Sequence, residues 1–107
     1  MENETRHHPR VRGTAGVELC AQEGRFTCRA RDMSLAGCYL ETHHTVVGPH
    51  VQLVFQVPGQ LERVACAAQV VRQDLKSDGT LGLALRFKAM DWSALLGLAK
   101  IVAPQLG

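Results

Sequence analysis

The feature that most limits the fold is a period-two alternation, repeated between closely spaced turn signals. Leu81, Leu83, Leu85 and Phe87 alternate with Gly82, Ala84 and Arg86, so on an extended strand the large apolar side chains share one face. Val51, Leu53, Phe55 and Val57 repeat the pattern against Gln52, Val54 and Gln56, broken only at Val54. Shorter strand-like runs at Val17–Ala21 and Arg25–Arg31 flank the loop Gln22-Glu23-Gly24, and Cys38–Thr42 follows the turn-rich Asp32–Gly37. Pro58-Gly59 has the composition of a type II turn, Val64–Gln73 continues as a strand of small residues, and Asp78-Gly79 predicts a hairpin into Leu81. Six or seven strands at this spacing predict a small antiparallel barrel or sandwich.

The period changes near the end of the chain. Asp91 has the character of an N-cap, and Trp92, Leu95, Leu96, Ala99 and Val102 recur at helical spacing before Pro104. This predicts one amphipathic helix over about 91–103, with that stripe against the barrel. Residues 1–16 hold little apolar periodicity and contain the breakers Pro9, Gly13 and Gly16, so they read as an arm leading into a single domain over 17–107. The 107 residues are 46% hydrophobic and 21% charged, which is globular composition. No run approaches the ~18 apolar residues of a bilayer span, and the polar start MENETRHHPR differs from a signal peptide. The expected location is cytoplasmic, without membrane insertion.

Cys20, Cys28, Cys38 and Cys66 form no C-x-x-C pair and are expected as small hydrophobes buried on strands, without disulfides. The histidines fall as His7-His8, His43-His44 and a lone His50. Neighbours on a strand face opposite ways, so no metal site is expected. A formal net charge of +2 and five aromatic residues argue against DNA or RNA binding. Nine of the twelve basic residues are Arg, and six of those precede residue 32. Arg presents a planar fork of donors suited to phosphates and to the acceptor edge of guanine. A GC-rich coding sequence would enrich Arg equally, and composition leaves the two explanations level.

Two clusters carry the candidate chemistry. Arg6-His7-His8-Pro9-Arg10 lies in the arm, with Arg12 close behind. Asp32-Met33-Ser34-Leu35-Ala36-Gly37 lies between two strands, where a carboxylate, a hydroxyl and a glycine form a tight turn exposing backbone donors. Guanine suits the pair: its O6 and N7 acceptors match Arg, and its N1 and N2 donors match an Asp carboxylate. Guanidinium planes also stack on purines, and Gly37 would let the backbone pass close to a ligand.

With R6-H-H-P-R10 matching RxxxR and D32-M-S-L-A-G37 matching [D/N]xSxxG, the chain resembles the PilZ domain family, bacterial receptors for cyclic di-GMP. The likeness runs from Arg6 to the terminal helix, and Gly82-Leu-Ala-Leu-Arg-Phe87 is similar to the family's closing strand. The resemblance implies an all-β fold, a six-stranded antiparallel barrel with a C-terminal helix. It implies that Arg6 and Arg10 contact phosphate and the guanine acceptor edge. Asp32 would accept from N1 and N2, Ser34 would add polar contacts, and Gly37 would permit close approach. Arg72 stands near the position where some members carry a stacking Trp. Thr5 stands where a further Arg would favour an intercalated ligand pair, which inclines the expectation toward one ligand.

No catalytic constellation is present: G-x-S-x-G, H-E-x-x-H and a P-loop are all missing. The four Asp and six Glu form no metal-binding cluster of the kind cyclic di-GMP hydrolysis requires. The expectation is a binding module with no cofactor. Its Arg arm would close over the dinucleotide and create a surface for an unidentified downstream protein in motility, exopolysaccharide or related signalling. The alternative is a PilZ-like adaptor that binds no cyclic di-GMP and docks onto pilus or motility machinery.

Overall fold

The computed structural model describes residues 11–12, 16–57 and 61–106. In chain order the elements are β1 (Val11–Arg12), β2 (Gly16–Ala21), β3 (Gly24–Met33), β4 (Gly37–Thr42), β5 (His50–Gln56), β6 (Arg63–Leu75), β7 (Leu81–Phe87) and α1 (Trp92–Leu106). All their pairings are antiparallel. The ring runs β2–β3–β4–β7–β6–β5, and β5 returns to β2, which closes six strands into a barrel. β1 adds to β3 beyond the point where β2 ends, pairing Val11 with Met33 and Arg12 with Asp32. Three residues of the expected arm, Val11 and Arg12 in β1 and Gly16 at the start of β2, are therefore strand. The Pro58-Gly59 turn lies outside the described residues.

The alternation read from the sequence becomes the barrel interior. One inward rung crosses four strands as Cys28, Val17, Phe55 and Val64, and another joins Leu19, Leu53 and Cys66. Phe55 and Phe87 meet edge-on with ring centroids 6.0 Å apart. All four cysteines are free and lie on strands; Cys28, Cys38 and Cys66 are buried, while Cys20 is half-buried on the outer wall. Burial, which disfavours the thiolate, pushes the Cys66 thiol up to about 11 and raises Cys28 as well. At the Asp78-Gly79 hairpin, Gly79 takes φ +88°, and the Asp78 carboxylate accepts from the Thr80 N–H at 3.0 Å and the Thr80 hydroxyl at 2.6 Å.

Asp91 caps α1 as expected, its Oδ1 accepting from the Ala94 N–H at 2.8 Å. The buried face differs from the expected stripe. Trp92 is 71% exposed and Leu96 45%, while Leu98, Ile101 and Val102 enter the core and Ala94 packs against it. The helix carries apolar residues nearly all round, so hydrophobicity alone leaves its rotation open. Gly97 selects it: a Cβ there would stand 2.3 Å from Val64 Cγ2. The glycine lets the helix press onto β6, and the helix also contacts β1. Pro104 does not stop the helix, which continues to Leu106. It forfeits one hydrogen bond, but the N–H groups of Gln105 and Leu106 can still reach carbonyls four residues back. Among the described residues no helix is long and apolar enough to cross a membrane.

Candidate functional site

The outer wall is shaped by two β-bulges. On β3, Ala30 pairs with Leu40 and both point inward, so regular alternation would turn Asp32 inward too. A bulge at Arg31 shifts the register by one residue, pairing Asp32 with Tyr39 on the outer face and returning Met33 to the core. β6 repeats the device. Val70 pairs inward with Leu85, Val71 is bulged and exposed, and Arg72 then pairs outward with Ala84. Since Tyr39 also pairs with Ala84, one outward rung reads Asp32, Tyr39, Ala84, Arg72 across β3, β4, β7 and β6.

The Ser34–Gly37 turn ends this rung's neighbourhood at the β3–β4 hairpin. Ser34 Oγ accepts from the Ala36 N–H at 3.0 Å and the Gly37 N–H at 3.3 Å, while the Ser34 N–H donates to the Gly37 carbonyl at 2.9 Å. Ser34 is only 2% exposed, so its side chain holds the turn together from within. Gly37 makes room for protein backbone: a Cβ there would sit 2.2 Å from the Leu85 carbonyl oxygen. The Ala36 carbonyl, on the same turn, accepts from the Phe87 N–H at 2.8 Å and ties the turn to β7.

Next to Asp32 lies a polar cluster that the sequence did not single out. The Tyr39 hydroxyl donates to Asp74 Oδ2 at 3.0 Å, and Arg72 Nε donates to both Asp74 carboxylate oxygens at 3.0 Å. The Arg72 hydrogen bond holds the Asp74 carboxyl below its ordinary value, helped by the Tyr39 hydroxyl, and Asp74 raises the Arg72 guanidinium in turn. Lys76 Nζ stands 5.2 Å from the Tyr39 ring centroid. Two adjoining clefts share Tyr39. The larger, about 510 Å³, includes Ala36, Gly37, Arg72 and Arg86 in its lining; the smaller, about 180 Å³, is lined by Arg31, Asp32, Tyr39 and Lys76. Arg31 is itself held by Glu41.

Four cations and one carboxylate therefore face these clefts, a set suited to an anion that also carries a hydrogen-bond-donating edge. A further cleft of about 410 Å³ lies on the β2–β5 side, but among the described residues Lys88 is the one fully charged group lining it, and Asp32, Ser34, Gly37 and Arg72 do not line it. Of the expected site residues, the barrel brings Asp32, Ser34, Gly37 and Arg72 to one region of the wall. Arg6 and Arg10 lie outside the described residues. Tyr39, Asp74 and Lys76 went unremarked, because the face they share with Asp32 depends on the bulges; Arg86 was placed opposite the apolar face of β7 by its alternation but was not assigned to the site.

Comparison with known families and folds fits this arrangement. A PilZ domain family model matches residues 4–102. The chain belongs to the PilZ domain family. Both signatures fall inside that span. Solved structures similar to this PilZ domain include MotI/DgrA, an inhibitor of motility from Bacillus subtilis, with TM-score 0.79 and 13% identity over 95% of this chain and 51% of that one. The PilZ domain of YcgR from Escherichia coli, solved with c-di-GMP, has TM-score 0.70 and 16% identity over 95% and 92%. The MrkH–c-di-GMP complex of K. pneumonia has TM-score 0.69 and 16% identity over 90% and 50%. At such identities the likeness is one of fold, and the chain spans about half the length of MotI and MrkH. A comparison with curated sequences finds no match.

Proposed function

We propose that this PilZ domain is a cyclic di-GMP receptor, and that one observation carries the reading. β1 follows directly on RxxxR, and its two residues pair with Asp32 and Met33, the first two of DxSxxG. The strand that follows RxxxR in sequence is thus paired with the end of β3 at which DxSxxG begins, some twenty residues later. Asp32, turned outward by its bulge, accepts from guanine N1 and N2. Arg6 and Arg10 supply donors to phosphate and to O6 and N7. Ser34 and Gly37 act by shaping a turn whose backbone stays near the ligand, and Arg72 lies against the ligand from β6.

The output is mechanical rather than catalytic. Closure of the arm over a single bound dinucleotide shifts β1, and because β1 touches α1, the helix reports ligand binding to a downstream protein in the cytoplasm. Calorimetric titration with cyclic di-GMP, using GTP as a control, tests the reading. Wild-type protein is expected to bind at micromolar or tighter Kd. Arg10→Ala and Asp32→Ala are each expected to weaken binding ~10–150-fold, at roughly 1.5–3 kcal/mol per charge-assisted bond. No heat and no thermal shift with wild type at any salt concentration would leave a ligand-free adaptor.

A further inference from the structure

We propose that Tyr39 is the platform on which a purine base of the ligand stacks, an inference that rests on the cyclic di-GMP reading and adds to it the residue that receives the base's face. Tyr39 is the register partner of Asp32, and the two line the same 180 Å³ cleft. A guanine whose N1 and N2 edge meets Asp32 has its plane beside the phenol ring.

The ring is fixed before any ligand arrives. Its hydroxyl is held by Asp74, and its inner side rests on the backbone of β7 at Gly82. A Cβ at Gly82 would come within 1.7 Å of Tyr39 Oη, 2.3 Å of Cζ and 2.8 Å of Cε2, so the absence of a side chain there is what lets the ring lie flat on the wall. Its outer side faces solvent, with the Lys76 ammonium 5.2 Å from the centroid. A cation–π contact at an exposed site is weak, and Lys76 sits at the start of the β6–β7 hairpin, free to swing aside when a base arrives. A preorganised aromatic face next to a carboxylate and ringed by cations is the arrangement that binds a purine through its face, its edge and its phosphate together.

The test is calorimetric titration of cyclic di-GMP into wild type, Tyr39→Phe, Tyr39→Leu and Gly82→Ala, with thermal unfolding of each. Tyr39→Leu keeps apolar bulk but has no π-face, and its affinity is expected to fall roughly 10–100-fold. Tyr39→Phe, which keeps the ring, is expected within about threefold of wild type on the same stacking argument. Gly82→Ala lifts the ring off its berth and is expected to weaken binding with Tyr39 intact; it decides the matter if Tyr39→Leu does not fold. Tyr39→Leu binding like wild type while Arg10→Ala does not overturns the platform and leaves the receptor reading standing. Equal losses in Tyr39→Phe and Tyr39→Leu assign the effect to the hydroxyl and overturn stacking. A wild type that binds nothing overturns both readings.

Discussion

Ser34 and Gly37 illustrate how much of a binding signature is conformational. The Ser34 hydroxyl oxygen satisfies two backbone N–H groups inside a buried turn, and Ser34→Ala leaves both without it. The expected cost is about 1–3 kcal/mol, seen as a fall in Tm of roughly 4 °C or more in a thermal melt. Gly37→Ala is expected to cost at least as much, because its Cβ would meet a β7 carbonyl that cannot move without breaking the sheet. Both variants should lose ligand affinity in proportion to the turn they lose. Ser34 was legible because its demand is local, two N–H groups of its own turn; Gly37 was legible as part of that turn, although the close approach that requires a glycine is to β7. Tyr39 was not: whether a residue in Cys-Tyr-Leu points to core or solvent depends on pairing with strands far away in the chain.

At the scale of elements, α1 shows where pattern reading stops. Its cap was legible from Asp91, and Asp91→Ala is expected to cost about 1 kcal/mol in a denaturant titration. Its rotation was not, since a helix apolar on most sides offers several faces and a close contact with β6 chooses among them. Gly97→Ala tests this through its sign. In a helix facing solvent the change stabilises by up to ~1 kcal/mol. Here the new methyl meets the stiff, buried Val64, and a loss of about 1–3 kcal/mol is expected from chemical denaturation. A gain would place the helix farther from β6 than described. The strands were read nearly to their ends, because each has one wall in the core; the bulges were not, since Arg31 and Val71 look like any other strand residue.

The whole molecule is a barrel without open edges along its ring, and its buried thiols give it a pH limit. Burial holds the Cys66 thiol up at about 11, above its ordinary 9.0, so between these values the unfolded chain releases a proton that the folded one keeps. The fold's preference for the neutral thiol costs nothing below pH 9, and stability falls as pH rises toward 11. Cys28 adds to the slope in the same direction. Thermal melts from pH 8 to 11 are expected to show a falling Tm, and Cys66→Ala to fall less steeply across that window. A flat profile in the wild type would mean that both thiols ionise as readily in the barrel as in the unfolded chain. Strand number and spacing left a barrel and a sandwich both open, because closure is set by pairing between strands distant in the chain; the closed six-stranded barrel was legible through the resemblance to the PilZ family.

The two bulges carry one more consequence. Each is a single inserted residue that reverses the parity of everything beyond it, so the ligand wall is written in chain length as much as in side chains. Were Arg31 paired in the ladder instead of bulged, regular alternation would drive the Asp32 carboxylate toward the core and expel Met33; pairing Val71 would do the same to the Arg72 guanidinium. Transplanting Asp32, Tyr39 and Arg72 at their native spacing onto a barrel whose β3 and β6 hold no bulge would fail for the same reason, with every residue type correct and Asp32 and Arg72 turned inward. For a chain like this one, an indel at a regularly paired residue of β3 or β6 therefore reverses the faces beyond it, whereas loss of the bulged residue itself leaves Asp32 and Arg72 on the outer wall.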